Sequence, residues 1–266
     1  MKMVVCVKQV LDPEAPPSSF KVDPQANRVI PPPGVPSVIS PFDEQAVEAA
    51  LRIKDAKGGT ISVISLGNNL LRDVVKKPLS MGCDELILLE DEAFEGGDSW
   101  STAFALAAAI RKIGPFDLLF CGRQAADWDA GQVGAGLAHL LGIPCITLAK
   151  KVEVTDGKAT VERVVPDGYE VLEVVLPALI TVSNELGQPR YATLKGIMAA
   201  ARKVPVVWKP RDLALDPSQL GEKGRRTQLL KLFQPTKESK CELVEGESPA
   251  EAGMKLALKL REAKVL

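Results

Sequence analysis

Short, uninterrupted apolar runs recur along the chain, each ending at a polar or glycine-rich loop and followed by a stretch with helical spacing. Lys2–Val10 (KMVVCVKQV), Ile61–Leu66, Glu85–Leu89, Asp117–Cys121 and a run around Cys145–Leu148 carry little polar alternation, so they predict strands buried on both faces of a sheet. Between them lie helical segments. One is entered at Ser40-Pro41-Phe42-Asp43, with a Ser cap, proline at the first helical position and an acid at the third, and runs to about Lys57. A second ends at Met81 before Gly82, an Ala-rich third spans Ser99–Lys112 after Gly96-Gly97-Asp98, and a fourth ends at Leu141. Strands alternating with helices require right-handed crossovers and predict a doubly wound, mainly parallel α/β sheet.

The alternation is interrupted in three places. Between Pro13 and Pro36 the chain is Pro-rich, with a small hairpin expected from Phe20–Val22 and Arg28–Ile30 around Asp23-Pro24. After Lys150, the segments Lys151–Thr155, Lys158–Val164 and Tyr169–Leu176 are joined by Asp156-Gly157 and Asp167-Gly168, which predicts an antiparallel β insert over 151–176. Ala178–Val182 and Val204–Trp208 return as apolar core strands, separated by a turn-rich Asn184–Arg190 and a helix near Leu194–Ala201. An α/β nucleotide-binding domain is therefore expected over 1–208 and a C-terminal arm over 209–266. In that arm Lys209–Glu247 lacks periodicity, and Ser248-Pro249-Ala250-Glu251 opens an amphipathic helix to about Ala263 that is expected to pack on a partner.

Composition narrows the partners. With 33 Lys+Arg against 34 Asp+Glu the chain has no basic footprint for sequence-independent nucleic-acid binding. No run approaches the roughly 20 apolar residues of a membrane span, and Met1–Val10 reads as a strand rather than a signal peptide, so a soluble, cytoplasmic protein is expected. Cys6, Cys83, Cys121, Cys145 and Cys241 form no C-x-x-C pair and read as reduced core residues. His139, the only histidine, reads as a helix-surface residue or, alternatively, a general base; no catalytic triad is recognisable.

In a doubly wound sheet, ligands sit beyond the C-terminal strand ends. The relevant loops are Lys8–Asp12, Ser40–Asp43, Leu66–Leu70, Gly96–Thr102 and Gly122–Gly136. Helix-start N–H groups with the hydroxyls of Ser99, Ser101 and Thr102 suit a phosphate; the same hydroxyls also read as a plain helix cap. G-x-G-x-x-G and G-x-x-x-x-G-K-[ST] are absent, as is the S-G-G-x-D-S loop of ATP-pyrophosphatases. Asp127 and Asp129 read as an acid/base or metal pair, or as caps of the following helix that hold ribose hydroxyls. The inference is a nucleotide-like ligand, with a nucleotide-hydrolysing or nucleotide-sensing domain as a more distant alternative.

Five blocks sharpen this: Val4–Val10, Ser40–Ala46, Gly122–Asp127, Leu176–Thr181 and, most specific, Pro189–Met198 (PRYATLKGIM). Through them the chain resembles, over nearly its whole length, the β subunit of an electron transfer flavoprotein, and two loops resemble the electron-bifurcating branch. The resemblance implies an adenine nucleotide α-hydrolase-like fold and an obligate α subunit carrying a redox FAD. It also implies a nucleotide site in this chain, holding FAD that takes hydride from NADH in bifurcating members and a structural AMP in the others. An acyl-CoA-type dehydrogenase or quinone reductase is the implied acceptor, with ferredoxin or flavodoxin as low-potential carrier in bifurcating members. By position, Cys6, Ser40, Pro41, Phe42, Asp43, Leu66, Gly122, Arg123, Gln124, Ala125, Asp127, Asp129, Ala130, Gly131, Gln132 and Val133 match the family's AMP-moiety contacts. Asp129–Gly134 resembles the bifurcating D-T-A-Q-V-G, and Gly97–Thr102 resembles the G-x-D-x-x-x-T of FAD-binding members, which makes Asp98, Ser99 and Thr102 expected contacts of FAD. Ala130-Gly131 departs from Thr-Ala by losing a hydroxyl, and Trp100 and Trp128 are bulkier than the pattern; an indole there has a face on which a ring can stack. Leu186, in Asn184–Pro189, matches the recognition loop whose leucine enters an acceptor's apolar pocket; its alternative is a core leucine closing the turn.

Overall fold

The computed structural model describes residues 1–235 and 241–266, so part of the expected C-terminal arm, 236–240, lies outside the described residues. In chain order the elements are β1 (Lys2–Val7), β2 (Gln9–Leu11), β3 (Lys21–Asp23), β4 (Arg28–Ile30), β5 (Ser37–Ile39), α1 (Pro41–Lys57), β6 (Thr60–Gly67), α2 (Arg72–Val75), α3 (Lys77–Met81) and β7 (Glu85–Glu90). There follow α4 (Ser99–Ile113), β8 (Leu118–Gly122), α5 (Val133–Leu141), β9 (Cys145–Thr155), β10 (Lys158–Val165), β11 (Gly168–Val175), β12 (Ala178–Val182), α6 (Leu194–Arg202), β13 (Val206–Trp208), α7 (Gly221–Gly224) and α8 (Pro249–Glu262).

Among the described residues, nine strands form one sheet in the order β11-β10-β9-β12-β8-β1-β6-β7-β13. The apolar runs of the sequence are its central strands, and they are buried on both faces. In β1, Met3, Val5 and Val7 enter one core with α1, while Val4 and Cys6 enter the other with α4 and α5. Burying each such side chain stabilises the fold by roughly 1.5–3 kcal/mol, which is why an uninterrupted apolar run is stable here and nowhere else. The parallel strands reverse direction of growth at β1, which pairs with β6 on one side and β8 on the other. Crevices for ligands open at such a switch point, beyond the carboxyl ends of the two strands.

Several local expectations are modified. The helix expected to Met81 is split into α2 and α3, because Pro78 at the start of α3 has no N–H to continue the α2 ladder. The runs at Cys145 and Lys151 are one strand: β9 pairs in parallel with β12 through its first half and antiparallel with β10 through its second, kinking at Leu148 where φ is +58°. The β insert is therefore the edge of the main sheet. Val204–Trp208 is not a core strand; β13 begins at Val206 and lies at the opposite edge, with Val206 and Val207 exposed. Cys6, Cys83 and Cys121 are buried free thiols, but Cys241 is exposed, since the arm that carries it stands off the core. His139 is exposed on α5. No helix of the described residues is long and apolar enough to cross a membrane.

The first part of the arm folds back on the chain. The side-chain amide of Asn27, in the β3–β4 turn, donates to Leu229 O at 3.1 Å and accepts from Leu232 N–H. By contrast α8, capped by the Ser248 hydroxyl that accepts Glu251 N–H at 3.3 Å, buries none of its side chains.

Candidate functional site

The carboxyl ends of β1 and β8 open into a cleft of about 380 Å³, a size suited to a small-molecule ligand. Its floor is Cys6 and Cys121. Hydrogen-bonded to the Cys6 thiol and buried, the Cys121 thiol is held well above the ordinary thiol range, so it serves as apolar floor rather than as a nucleophile.

Two close approaches shape the wall beside that floor. A Cβ on Gly122 would sit 2.5 Å from Asp43 Oδ1 and 2.7 Å from the Phe42 carbonyl carbon, so only glycine lets the start of α1 meet the end of β8. A Cβ on Gly134 would sit 2.6 Å from Thr181 Cγ2, so only glycine brings the first turn of α5 onto the sheet. No side chain caps α5, which leaves its first N–H groups, from Val133 onward, at the cleft. An uncapped helix start of this kind is a ready anion site. Arg123 adds charge: its guanidinium lies 5.0 Å from the Phe42 ring centroid, and its buried Nε has no partner among the described residues.

Asp43 ties the two strands together. Its Oδ2 accepts Lys8 N–H at 2.8 Å and its Oδ1 accepts Gly122 N–H at 3.0 Å. Burial pushes this carboxyl up to about 7 against the downward pull of those two bonds and of Lys8. The expected Ser cap of α1 is not made by the hydroxyl: Ser40 is fully buried, and its Oγ accepts Ala126 N–H at 3.4 Å, tying the 122–134 loop to α1.

The structure brings most of the expected residues to the cleft. Cys6, Asp43 and Leu66 line it from β1, α1 and β6; Gly122, Arg123, Gln124 and Ala125 line it after β8. Ala130, Gly131, Gln132 and Val133 lead into α5, while Asp98, Ser99 and Thr102 stand at the start of α4. Ser40, Pro41 and Phe42 are placed behind this surface, outside the lining. Asp127 and Asp129 also fall outside it, and neither caps α5. Asp127 pairs with Lys8 at 2.7 Å, and Asp129 Oδ1 accepts Gln124 Nε2 at 2.7 Å. Both contacts tie the 122–134 loop in place, Asp127 to the end of β1 and Asp129 within the loop itself.

Two expectations are corrected. Leu186 is only 7% exposed and belongs to the core beneath α1, so it is not an exposed anchor. The apolar surface of this region is instead Leu194 at 75% exposure, with Tyr191, Ile197 and Met198 beside it. Trp100 lies outside the cleft lining, and the Arg226 guanidinium stands over one face of its ring at 3.5 Å from the centroid. Trp128 does line the cleft.

Sequence reasoning missed Arg225, Thr227 and Leu229, which form the far wall. Their signal was the glycine-flanked basic cluster Gly221-Glu222-Lys223-Gly224-Arg225-Arg226-Thr227. They are set by Asp98. One of its oxygens accepts Ser101 N–H at 3.0 Å, capping α4, and the other accepts Arg226 N–H at 2.8 Å, Thr227 N–H at 2.9 Å and the Thr227 hydroxyl at 3.0 Å. Partial burial pushes the Asp98 carboxyl up, but these bonds outweigh it and hold the group at about 2.

A doubly wound α/β sheet with an uncapped helix start, an arginine and an apolar floor at its switch point is an arrangement suited to a phosphate-bearing ligand. Comparison with known proteins shows the family. The electron transfer flavoprotein domain matches residues 29–213. The caffeyl-CoA reductase-Etf complex subunit CarD of Acetobacterium woodii is 39% identical over 267 residues, the full length of both chains. The electron transfer flavoprotein subunit beta of Thermoanaerobacterium thermosaccharolyticum is 41% identical, covering 92% of this chain and 93% of that one. Protein FixA of Azotobacter vinelandii is 38% identical, covering 92% and 88% respectively. The chain belongs to the electron transfer flavoprotein family, as a β-type subunit.

Proposed function

We propose that this chain is the β subunit of a cytoplasmic electron transfer flavoprotein heterodimer whose cleft holds FAD, accepting hydride from NADH and bifurcating its electrons between ferredoxin or flavodoxin and an α-subunit FAD that serves an acyl-CoA-type dehydrogenase. The observation that carries the reading is the two-ended cleft. The start of α5 suits one phosphate, and the Ser99 and Thr102 hydroxyls with Arg225 stand across from it, more donors than a mononucleotide needs. A bound flavin would supply the hydride and one-electron chemistry. The chain's own residues would bind and orient it: backbone N–H groups of α5 and the Arg123 guanidinium are the donors for phosphates, Cys6 and Cys121 present an apolar surface, and Lys8 and Asp127 keep the 122–134 loop in place. Nothing in this arrangement calls for a protein acid or base.

A structural AMP is the second reading. It is favoured by the start of α4 being already capped by Asp98 and Ser101, which leaves α5 as the helix start free to meet a phosphate. The arm from 209 onward, ending in the unburied α8, is the proposed docking surface for the α subunit. The exposed Leu194 replaces Leu186 as the proposed anchor for the acceptor. Acid release of cofactors from the purified complex tests the main reading: two FAD per heterodimer supports it, and one FAD with one AMP selects the alternative.

A further inference from the structure

Asp98 does more than a helix cap requires. Capping α4 takes one oxygen, and Ser or Asn caps a helix as well as Asp does. The second oxygen accepts three bonds, two N–H and one hydroxyl, from Arg226 and Thr227. With the Ser101 bond, four donors fill the roughly four lone-pair sites that a carboxylate offers. Little acceptor capacity is left for a ligand.

The segment so held has no fold of its own. Residues 225–229 form neither helix nor strand, and their other anchors are the Arg225–Glu222 ion pair at 3.0 Å, the Arg226 guanidinium on the Trp100 ring and the Asn27 amide at Leu229 O. Yet Arg225, Thr227 and Leu229 line the cleft, supplying a cation, a hydroxyl and an apolar surface. Asp98 reaches across 128 residues of sequence to put them there.

We propose that Asp98 is a positioning residue of the nucleotide site rather than a contact of the ligand: it pins residues 225–229 as the outer wall against which the second half of a dinucleotide lies. The proposal rests on the nucleotide reading of the cleft. In this reading a mononucleotide held at the Cys6, Gly122 and α5 end leaves the wall unused, so the latch would separate long ligands from short ones.

The test uses Asp98→Ser and Asp98→Asn in the full chain. Both keep an oxygen for Ser101 N–H, so α4 stays capped, and both lose the acceptor for Arg226 and Thr227. Amide hydrogen exchange of the ligand-free protein should rise about tenfold or more at Arg226 and Thr227. FAD should bind about tenfold more weakly while AMP affinity stays within about twofold. Thr227→Val, which leaves α4 untouched, should shift both readouts in the same direction by less. Weaker FAD binding without faster exchange would mean that Asp98 touches the ligand, and equal loss of AMP and FAD would mean that the wall serves both; either result overturns the proposal. A wild-type chain that binds neither nucleotide overturns it together with the nucleotide reading. Unchanged exchange in the Asp98 variants overturns the latch alone, so the two failures are told apart.

Discussion

Arg190 Nε donates to Glu48 Oε2 at 2.8 Å, while Arg52 Nε donates to the other oxygen of the same carboxylate at 2.9 Å. Arg52 also donates to Leu186 O at 3.0 Å, so one buried acid on α1 fixes both ends of the 184–190 turn.

Replacing Glu48 with Gln should therefore destabilise the chain by about 1–3 kcal/mol at pH 7, since a neutral amide satisfies only part of this bonding. Burial raises the Glu48 carboxyl, but the two arginines outweigh it and leave it below the ordinary range. The stabilisation is thus complete above the ordinary glutamate range and is lost as pH falls through the lowered value. Urea midpoints of wild type and E48Q should converge on acidification; a gap that stays constant would show that the carboxylate charge is not what matters.

Asp43 gives the opposite sign. Its folded-state value of about 7 lies above the ordinary 3.8, so the native state holds a proton that the unfolded chain has lost between those limits. Its contribution to stability falls as pH rises through that window and is flat above it. Asp43→Asn should abolish this slope. It should also cost about 1–3 kcal/mol, because an amide offers one acceptor where Lys8 N–H and Gly122 N–H need two. Denaturation midpoints between pH 4 and 8 check both parts.

Gly134→Ala should push the first turn of α5 away from Thr181, with an overpacking cost of about 1–3 kcal/mol. Bound nucleotide should be lost with little change in the circular dichroism of the fold. Retention of full nucleotide content would show that the start of α5 does not hold the phosphate.

Leu186→Ala and Leu194→Ala should separate packing from docking. The buried Leu186 should cost about 2–5 kcal/mol of stability, and the exposed Leu194 close to nothing. Electron transfer to the acceptor should slow on truncating Leu194 at unchanged cofactor content. If acceptor kinetics respond only to Leu186, the assignment of Leu194 fails.

The readable parts of this chain are the local ones. The buried strands announce themselves because an apolar run such as Met3–Val7 has no polar face to expose, and the two Asp-Gly turns specify β9–β10–β11 by backbone preference alone. Most of the cleft lining follows from the rule that loops at carboxyl strand ends meet the ligand. What stayed hidden depends on contacts distant in sequence: Lys8 with Asp127 and Asp98 with Thr227 leave no pattern in a single chain. Leu186 illustrates a different limit. A leucine in a turn has no periodicity to say whether it points in or out, whereas Leu194, Ile197 and Met198 form a readable helical stripe whose exposure only the packing reveals.

The walls of the cleft come from the first strand, from residues 122–134 and from residues 225–229. Synthesis proceeds from the amino terminus, so the strands of the sheet and the start of α5 leave the ribosome before the last wall exists. The same order gives the protein a separable point of failure in old age. A protease that cuts just before Arg225 would remove a side of the cleft while leaving both cores intact, and by the latch proposed above the product would be a folded chain with a weakened grip on a dinucleotide but not on a mononucleotide.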